Sequence, residues 1–252
     1  MNRETIILEL LSEHKKMEVS ALAAAVGVSQ VTIRKDLISL EDRGVLRREH
    51  GYAMLRESDD VSGRLAFHYE RKKQIAQAAA SLVCPGETVM IESGSCCALL
   101  AEELVKRNMA VTIITNSAFI AGYIRKQPGA RVILLGGDYQ NDSQVMVGPV
   151  LALCVGQFYV DKLFVGADGF TKDEGFTGKD HLRVQAVRDM AQRAGSVIVL
   201  TEHHKLDQRG VMPLALENVA TMLVTDDQIS DKQQVMVQNA GIRLCIAESA
   251  GE

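Results

Sequence analysis

Residues 28–51 read VSQVTIRKDLISLEDRGVLRREHG, and this run decides the first part of the architecture. At 100° per residue, Ile33, Leu37 and Leu40 fall on one stripe and face a core, while Val31, Lys35 and Ser39 lie opposite, flanked by Thr32 and Arg34. The spacing predicts a helix from Gln30 to Arg43, with Ser29 at its N-cap and Gly44 ending it. The residues that follow, 45–55, read as a hairpin turning near His50-Gly51. Upstream, residues 4–13 place Ile7, Leu10 and Leu11 at helical spacing. Residues 19–29 (VSALAAAVGVS) predict a short alanine-rich helix capped by Ser20 and turned by Gly27. Small residues let two helices cross closely, as a helix-turn-helix requires.

The exposed first turn of the third helix then offers the Gln30 amide, the Thr32 hydroxyl, the Val31 methyls and the cations of Arg34 and Lys35 beside Ser29. These are groups that contact base edges and phosphates in a major groove. Arg47 and Arg48 on the hairpin, with His50 at its tip, are placed for the phosphate backbone. Residues 1–56 carry nine Lys/Arg against eight Asp/Glu, whereas the whole chain has a net charge of −4. Placement of the cations therefore matters more than their number. The competing reading of the same pattern is a three-helix protein-interaction module with a solvated charged face, since Asp36, Glu41 and Asp42 dilute the cations.

A chain of 252 residues with 47% apolar and 24% charged residues suits about two domains, at roughly 150 residues each. The expected division is a winged helix-turn-helix at 1–56, a polar linker at 57–64, and an α/β domain at 65–252. Within the last, strand-like runs (87–92, 111–115, 132–135, 162–165, 197–201, 222–225 and 243–246) alternate with helical segments such as 97–107 and 182–194. This alternation predicts a largely parallel sheet with helices on both faces. One amphipathic helix over 65–83, stopped by Pro85-Gly86, leads into it.

In an open sheet of this kind, ligands bind beyond the carboxyl ends of the strands. Five such ends carry loops suited to an anion or a sugar. They contain Ser93, Gly94, Ser95 and Cys96; Asn116 and Ser117; Gly136 and Gly137; Asp168 between glycines; and Lys205. Glycines permit close backbone approach, hydroxyls and helix N-terminal amides donate to phosphate, and Asp168 suits sugar hydroxyls. Each loop alone reads more readily as an ordinary turn, and it is five of them side by side at one sheet edge that point to a site. A neutral or cationic pocket of this composition suits a phosphorylated sugar.

Several classes are excluded or disfavoured. No apolar run approaches the roughly 18 residues of a membrane span, and the N-terminus turns acidic at once, so a cytoplasmic location is expected. The five cysteines include the adjacent pair Cys96-Cys97 but no metal-ligand spacing, so they read as reduced, mostly buried thiols, and no metal or cofactor is expected. Tryptophan is absent and aromatics make up 4% of residues, which disfavours base-stacking platforms for single strands.

The run Val28–Leu37, then Leu40-Glu41 and Leu46–Gly51, resembles the signature of the DeoR family of bacterial repressors. The resemblance continues from about Arg71 to Ile246 through Glu92–Ser95, Thr115–Ser117, Gly136-Gly137, Val147-Gly148, Phe164–Gly169 and Lys205. It implies a winged helix bound to a double-stranded DNA operator and an effector domain similar to ribose-5-phosphate isomerase and the CoA transferases. It also implies a sugar phosphate or related metabolite as effector. Three departures stand out: Cys96-Cys97 replaces threonines, His181–Gln185 replaces a glutamate-bearing segment, and His203–Leu206 replaces a serine-containing loop ending in Lys-Phe. Cys96-Cys97 leaves a redox switch open, and Arg183 is either a further cation for phosphate or part of a solvated face. A homodimer or homotetramer is expected, because a single winged helix makes few contacts. Two alternatives remain at this level. One is a sugar-phosphate isomerase-like enzyme with Asp168 as base and Lys205 as electrostatic stabiliser; the other is a regulator governed by a protein partner.

Overall fold

In the first unit, α1 (Arg3–His14), β1 (Lys16–Glu18), α2 (Val19–Val26), α3 (Gln30–Asp42), β2 (Leu46–Glu49), β3 (Tyr52–Leu55) and α4 (Val61–Ala66) follow in order. The computed structural model describes residues 2–55, 61–216 and 219–248. The chain divides into two compact units, Met1–Glu70 and Arg71–Glu252. The stretch expected as a linker lies, for residues 57–60, outside the described residues, while Val61–Ala66 is helical with Val61 and Leu65 fully buried.

The three strands form one antiparallel sheet in the order β1-β3-β2, with Met17 opposite Ala53 and Arg48 also opposite Ala53. The hairpin turn falls at His50-Gly51, whose φ values are 49° and 85°. Strand β1 escaped the sequence reading because three residues, two of them charged, leave no periodicity to detect. Its pairing also corrects the expected start of α2. Glu18 is held extended opposite Tyr52, and Val19 N donates to Gly51 O, so Glu18 rather than Ser20 takes the N-cap position. In α1 the buried set is Ile7, Leu8 and Leu11, with Leu10 only half-buried. Ile33, Leu37 and Leu40 are buried as well, at 1% exposure or less. Burying each such side chain contributes about 1.5–3 kcal/mol, so the aliphatic stripe of α3 fixes its rotation.

The expected helix over 65–83 is two helices, α4 and α5 (Tyr69–Ala80). His68 lies between them with φ of 51°, a conformation that cannot continue a right-handed helix. Then come β4 (Thr88–Ile91), α6 (Ser95–Lys106), β5 (Val111–Thr115), α7 (Ala118–Ile124), β6 (Ala130–Leu134), β7 (Asp138–Gln140), β8 (Val145–Val147), α8 (Gly148–Val155) and β9 (Val160–Gly166). The chain continues through β10 (Gly169–Thr171), β11 (Gly175–Gly178), α9 (His181–Ala191), β12 (Ala194–Leu200), a 3-10 turn at His203–Lys205, β13 (Met212–Pro213), β14 (Ala220–Asp226), α10 (Asp231–Asn239) and β15 (Arg243–Ala247).

Seven strands make one fully parallel sheet, in the order β15-β14-β12-β9-β4-β5-β6. Each strand-like run expected from the sequence is one of these seven, with ends displaced by three residues or fewer. The inner strands are continuous apolar runs because both faces are covered: Val89, Met90 and Ile91 are fully buried, as are Leu163, Phe164 and Val165. Strand order reverses between β4 and β9. The chain winds outward through β5 and β6 on one side and through β12, β14 and β15 on the other. That reversal opens a crevice at the carboxyl ends of β4 and β9.

Candidate functional site

On the first unit the candidate interface is the outward side of α3 with the β2-β3 hairpin. Ser29 caps α3 by accepting from Thr32 N at 3.2 Å, and its hydroxyl lies 3.0 Å from Thr32 Oγ1. Gln30, Val31, Arg34 and Lys35 are all exposed, Val31 at 64%. Gly27, with φ of 73°, makes the left-handed turn between α2 and α3. The acids that dilute α3 in the sequence are largely answered. Arg3 grips Asp36 through two bonds of 2.5 and 2.9 Å. Arg48 holds Glu41 through Nε at 2.8 Å and Nη2 at 2.6 Å, and its backbone N–H reaches the same carboxylate. Arg34 and Lys35 meet no carboxylate among the described residues. Arg47 donates to Met54 Sδ at 3.0 Å, meets no carboxylate among the described residues, and is exposed. His50 stands at the hairpin tip, its side chain 89% exposed, 3.6 Å from Glu49. Among the described residues of this face, the cations without an acidic partner are therefore Arg34, Lys35 and Arg47, whereas Arg48 is committed to Glu41.

On the second unit the crevice between β4 and β9 is closed at its floor by two backbones. A Cβ on Gly94 would lie 3.2 Å from Gly166 Cα and 3.4 Å from Gly166 N, so glycine lets the loop after β4 sit against the end of β9 without displacing either backbone. Glu92 fastens the two: Ser93 Oγ donates to its Oε1, and Gly166 N–H reaches its Oε2. Ser93 is buried, and its one hydroxyl proton goes to Glu92. Ser95 opens α6 with its hydroxyl unpartnered among the described residues, beside the unsatisfied first-turn amides.

The loop after β12 lies against this floor. Lys205 Nζ donates to Ala167 O at 3.3 Å and Thr201 Oγ1 to the same oxygen at 3.2 Å. Asp168 accepts from Lys179 N through Oδ2 at 3.0 Å, which leaves Oδ1 available. Two charged residues outside the sequence-derived set complete the cluster. Lys72, on α5, pairs with Glu202 at 3.5 Å, and both side chains are 3% exposed or less. Burial pushes the Lys72 ammonium below its usual range, and Glu202 opposes that shift. The legible sign of Lys72 was its place on the apolar stripe of α5, at i−3, i−4 and i−7 from Ile75, Ala76 and Ala79.

The thiols are inert in this setting. Burial, with Glu202 adding to it, raises Cys96 to about 12, against the opposing pull of Lys72 and Lys205. Burial also carries Cys97 well above its usual value, and its Sγ lies 3.8 Å from Phe164 O. Neutral thiols neither attack nor oxidise readily. All five cysteines are free, two buried, two half-buried, and Cys84 exposed.

The other two strand ends are built differently. Asn116 and Ser117 are fully buried. Ser117 Oγ caps α7 by accepting from Ile120 N, and Asn116 Nδ2 donates to Met146 O at 3.1 Å. Asn116 Oδ1 is buried with no hydrogen-bond donor among the described residues. Gly136 and Gly137 follow β6, the edge strand, two places from the strand-order reversal. Gly137 turns toward β8, where a Cβ would strike Val147 O at 2.7 Å. The structure thus joins Gly94, Ser95, Cys96, Lys205, Ala167 and, through the adjoining backbone, Asp168, while Gly136-Gly137 serves the β7-β8 hairpin. Arg183 is half-buried on the first turn of α9, whose N-cap Asp180 accepts its backbone N–H.

A model of the DeoR-like helix-turn-helix domain matches residues 3–59, and a model of the DeoR C terminal sensor domain matches residues 67–227. The chain is 30% identical over 250 residues to the HTH-type transcriptional regulator GolR of Listeria innocua, covering 98% of each protein. It is 28% identical over 250 residues to the HTH-type transcriptional repressor GlcR of Bacillus subtilis, covering 98% of this chain and 96% of the relative. Among solved structures, ribose 5-phosphate isomerase A of Methanocaldococcus jannaschii superimposes with a TM-score of 0.40 and 21% identity, over 54% of this chain and 53% of that one. Since the family's two models between them account for both units, the chain belongs to the DeoR family and is a DNA-binding transcriptional regulator.

Proposed function

We propose that the protein is a cytoplasmic repressor of a carbohydrate-metabolism operon, and that a phosphorylated sugar or related metabolite, bound at the crevice between β4 and β9, lowers its affinity for the operator. The observation that carries this reading is the gathering of hydrogen-bond donors at the crevice. Two lysines, Lys72 and Lys205, converge with the buried Glu202 carboxylate next to the Ser95 hydroxyl and the first-turn amides of α6, while the buried carboxylates of Glu92 and Asp226 are engaged with Ser93 and Gly166 and with His203. The two ammonium groups and the donor-rich wall suit a phosphate, and Asp168 Oδ1 suits a sugar hydroxyl. Glu202 and Asp168 each have a binding role here, and no turnover is assigned to them. Of the sequence-derived set, Ser93 acts by positioning Glu92, and Asn116 and Ser117 act by shaping the neighbouring loop.

Ligand control requires that the DNA-competent state bind the effector less well than the other state. Two copies of the chain reading paired half-sites supply the geometry that such a shift would spoil. Helix α8 supports self-association. It carries no polar side chain, yet Val150 is 50% exposed and Leu153 72% exposed. A helix that is apolar on all sides is ordinarily covered on all sides.

A thermal-shift screen against hexose and pentose phosphates tests the sensing role. A ligand at a hundredfold excess over its Kd stabilises by about 2.7 kcal/mol. Lys205→Ala should remove the shift and leave operator binding unresponsive to the same ligand. Wild-type protein unmoved by every phosphorylated compound would end the proposal.

A further inference from the structure

We propose that His203 is a direct ligand to the anionic group of the effector, oriented for that task by Asp226, so that it helps set which phosphorylated compounds the protein answers to. This rests on the effector reading above and goes beyond it, because Lys205 was the only member of this loop expected to reach a ligand.

Asp226 closes β14, which lies beside β12 in the sheet, and its side chain is fully buried. Its carboxylate accepts from His203 N at 2.9 Å through Oδ2, meets His203 Nδ1 at 2.6 Å through Oδ1, and also accepts from Gln228 N at 3.3 Å. The imidazole is thus gripped by backbone and ring together. The only side chain able to carry positive charge that meets this carboxylate, among the described residues, is His203 itself. A carboxylate on Nδ1 fixes the ring plane and leaves Nε2 to act outward. Nε2 has no protein partner among the described residues, and the side chain is 19% exposed.

The turn that carries the ring is as firmly held as the ring. One amide, Gln233 Nε2 of α10, donates to His203 O at 3.1 Å, Leu206 O at 3.0 Å and Asp207 Oδ2 at 3.1 Å. Gln233 is 8% exposed, and its Oε1 is itself anchored by Ser230 N. Such pre-positioning exceeds what a solvent-facing turn needs; it is what a binding residue needs if little freedom is to be lost when the ligand arrives.

The dyad sits at the edge of the crevice: His203 opens the same three-residue turn as Lys205, whose Nζ reaches Ala167 O, and Asp226 ends β14 beside β12. Cys96, the second residue of α6, is near enough to feel the charges of Glu202, Lys72, Lys205 and Asp226 together. A phosphate oxygen brought to Nε2 calls for a proton there, and Asp226 at Nδ1 balances the imidazolium that results. His203 then adds a directional donor to the two lysines. Rigid donors discriminate between anions of different shape better than lysines do, since an ammonium on a four-carbon stem adapts to either.

The test uses the full-length protein labelled with 15N in its histidine rings, titrated with inorganic phosphate and with the sugar phosphates that raise its melting temperature. The Nε2 resonance absent from His203→Gln should move on titration, while the Nδ1 resonance of the same ring stays near its starting position. His203→Gln should bind the same sugar phosphate at least tenfold more weakly, with DNA affinity in the absence of ligand unchanged. Asp226→Asn should lose part of that binding, with His203 Nε2 no longer responding fully. If sugar phosphates bind the wild type but the His203 resonances stay still and His203→Gln binds within twofold, His203 is not a ligand, though the effector reading survives. If no phosphorylated probe binds the wild type, both fall together. If His203→Gln fails to fold, His203→Asn identifies the resonance in its place, and the wild-type titration then decides the matter.

Discussion

Replacing Lys35 by alanine and, separately, Arg48 by alanine should have different consequences for the salt dependence of DNA binding, although the sequence offers both as equivalent cations. Lys35 projects from the exposed side of α3 and meets no acid among the described residues, whereas Arg48 is bound to Glu41 by two side-chain contacts of 2.8 and 2.6 Å. Each cation that neutralises a duplex phosphate contributes about −0.9 to the slope of log K against log salt. Lys35→Ala should therefore flatten that slope by about 0.9 per head engaged, and Arg34→Ala with Lys35→Ala by about twice that. Arg48→Ala should change the slope by much less than 0.9, because it removes a cation already neutralised; the freed Glu41 would weaken binding at every salt concentration instead. Fluorescence anisotropy with a labelled 30-base-pair duplex of arbitrary sequence, across about 50–200 mM salt, suffices, since non-specific binding is governed by the same electrostatics. Equal flattening by the two single variants would refute the claim that the Glu41 pair withdraws Arg48 from the interface.

Other outcomes follow from the packing. With Cys96 raised to about 12, its thiolate population at pH 8 is roughly a thousandfold or more below that of an ordinary cysteine. Native protein treated with iodoacetamide should label at exposed Cys84 long before Cys96 or Cys97, and peptide mapping showing Cys96 modified as fast as Cys84 would contradict the burial argument. Gly94→Ala would place a methyl 3.2 Å from Gly166 Cα, a backbone atom with little room to retreat. Its cost should be about 1–3 kcal/mol, or a fall in melting temperature of about 2–4 °C per kcal/mol for a unit of this size; an unchanged midpoint would show that the two loops can separate freely. Leu153→Glu should leave stability nearly untouched, since the side chain is 72% exposed, yet reduce the mass seen by light scattering to that of a single chain. An unaltered mass would remove α8 from the self-association surface.

Much of the architecture was legible from local pattern. The stripe of Ile33, Leu37 and Leu40 specified both the helix and its buried face, because 3.6-residue periodicity is a property of the segment alone. The seven strands were visible as short apolar runs for the same reason. Strand β1 and the break at His68 were not, since one exists only through its pairing with β3 and the other is a single backbone conformation. At the candidate site, the loops carrying Gly94, Asp168 and Lys205 could be picked out by composition, but their inequality with Gly136-Gly137 could not.

That inequality marks the division between the two levels. The order of residues along the chain determined which segments are helix or strand, which faces are apolar, and which strand ends carry anion-binding chemistry, because each of these depends on neighbours a few positions away. Only the tertiary structure decided where the strand order reverses, that Arg3 and Arg48 cancel the acids of α3, and that Lys72, Glu202 and the His203-Asp226 pair gather around one crevice. Those facts depend on residues tens to more than a hundred positions apart being brought within a few ångströms, and at such separations Coulomb and hydrogen-bond energies become decisive while sequence distance carries no information about them.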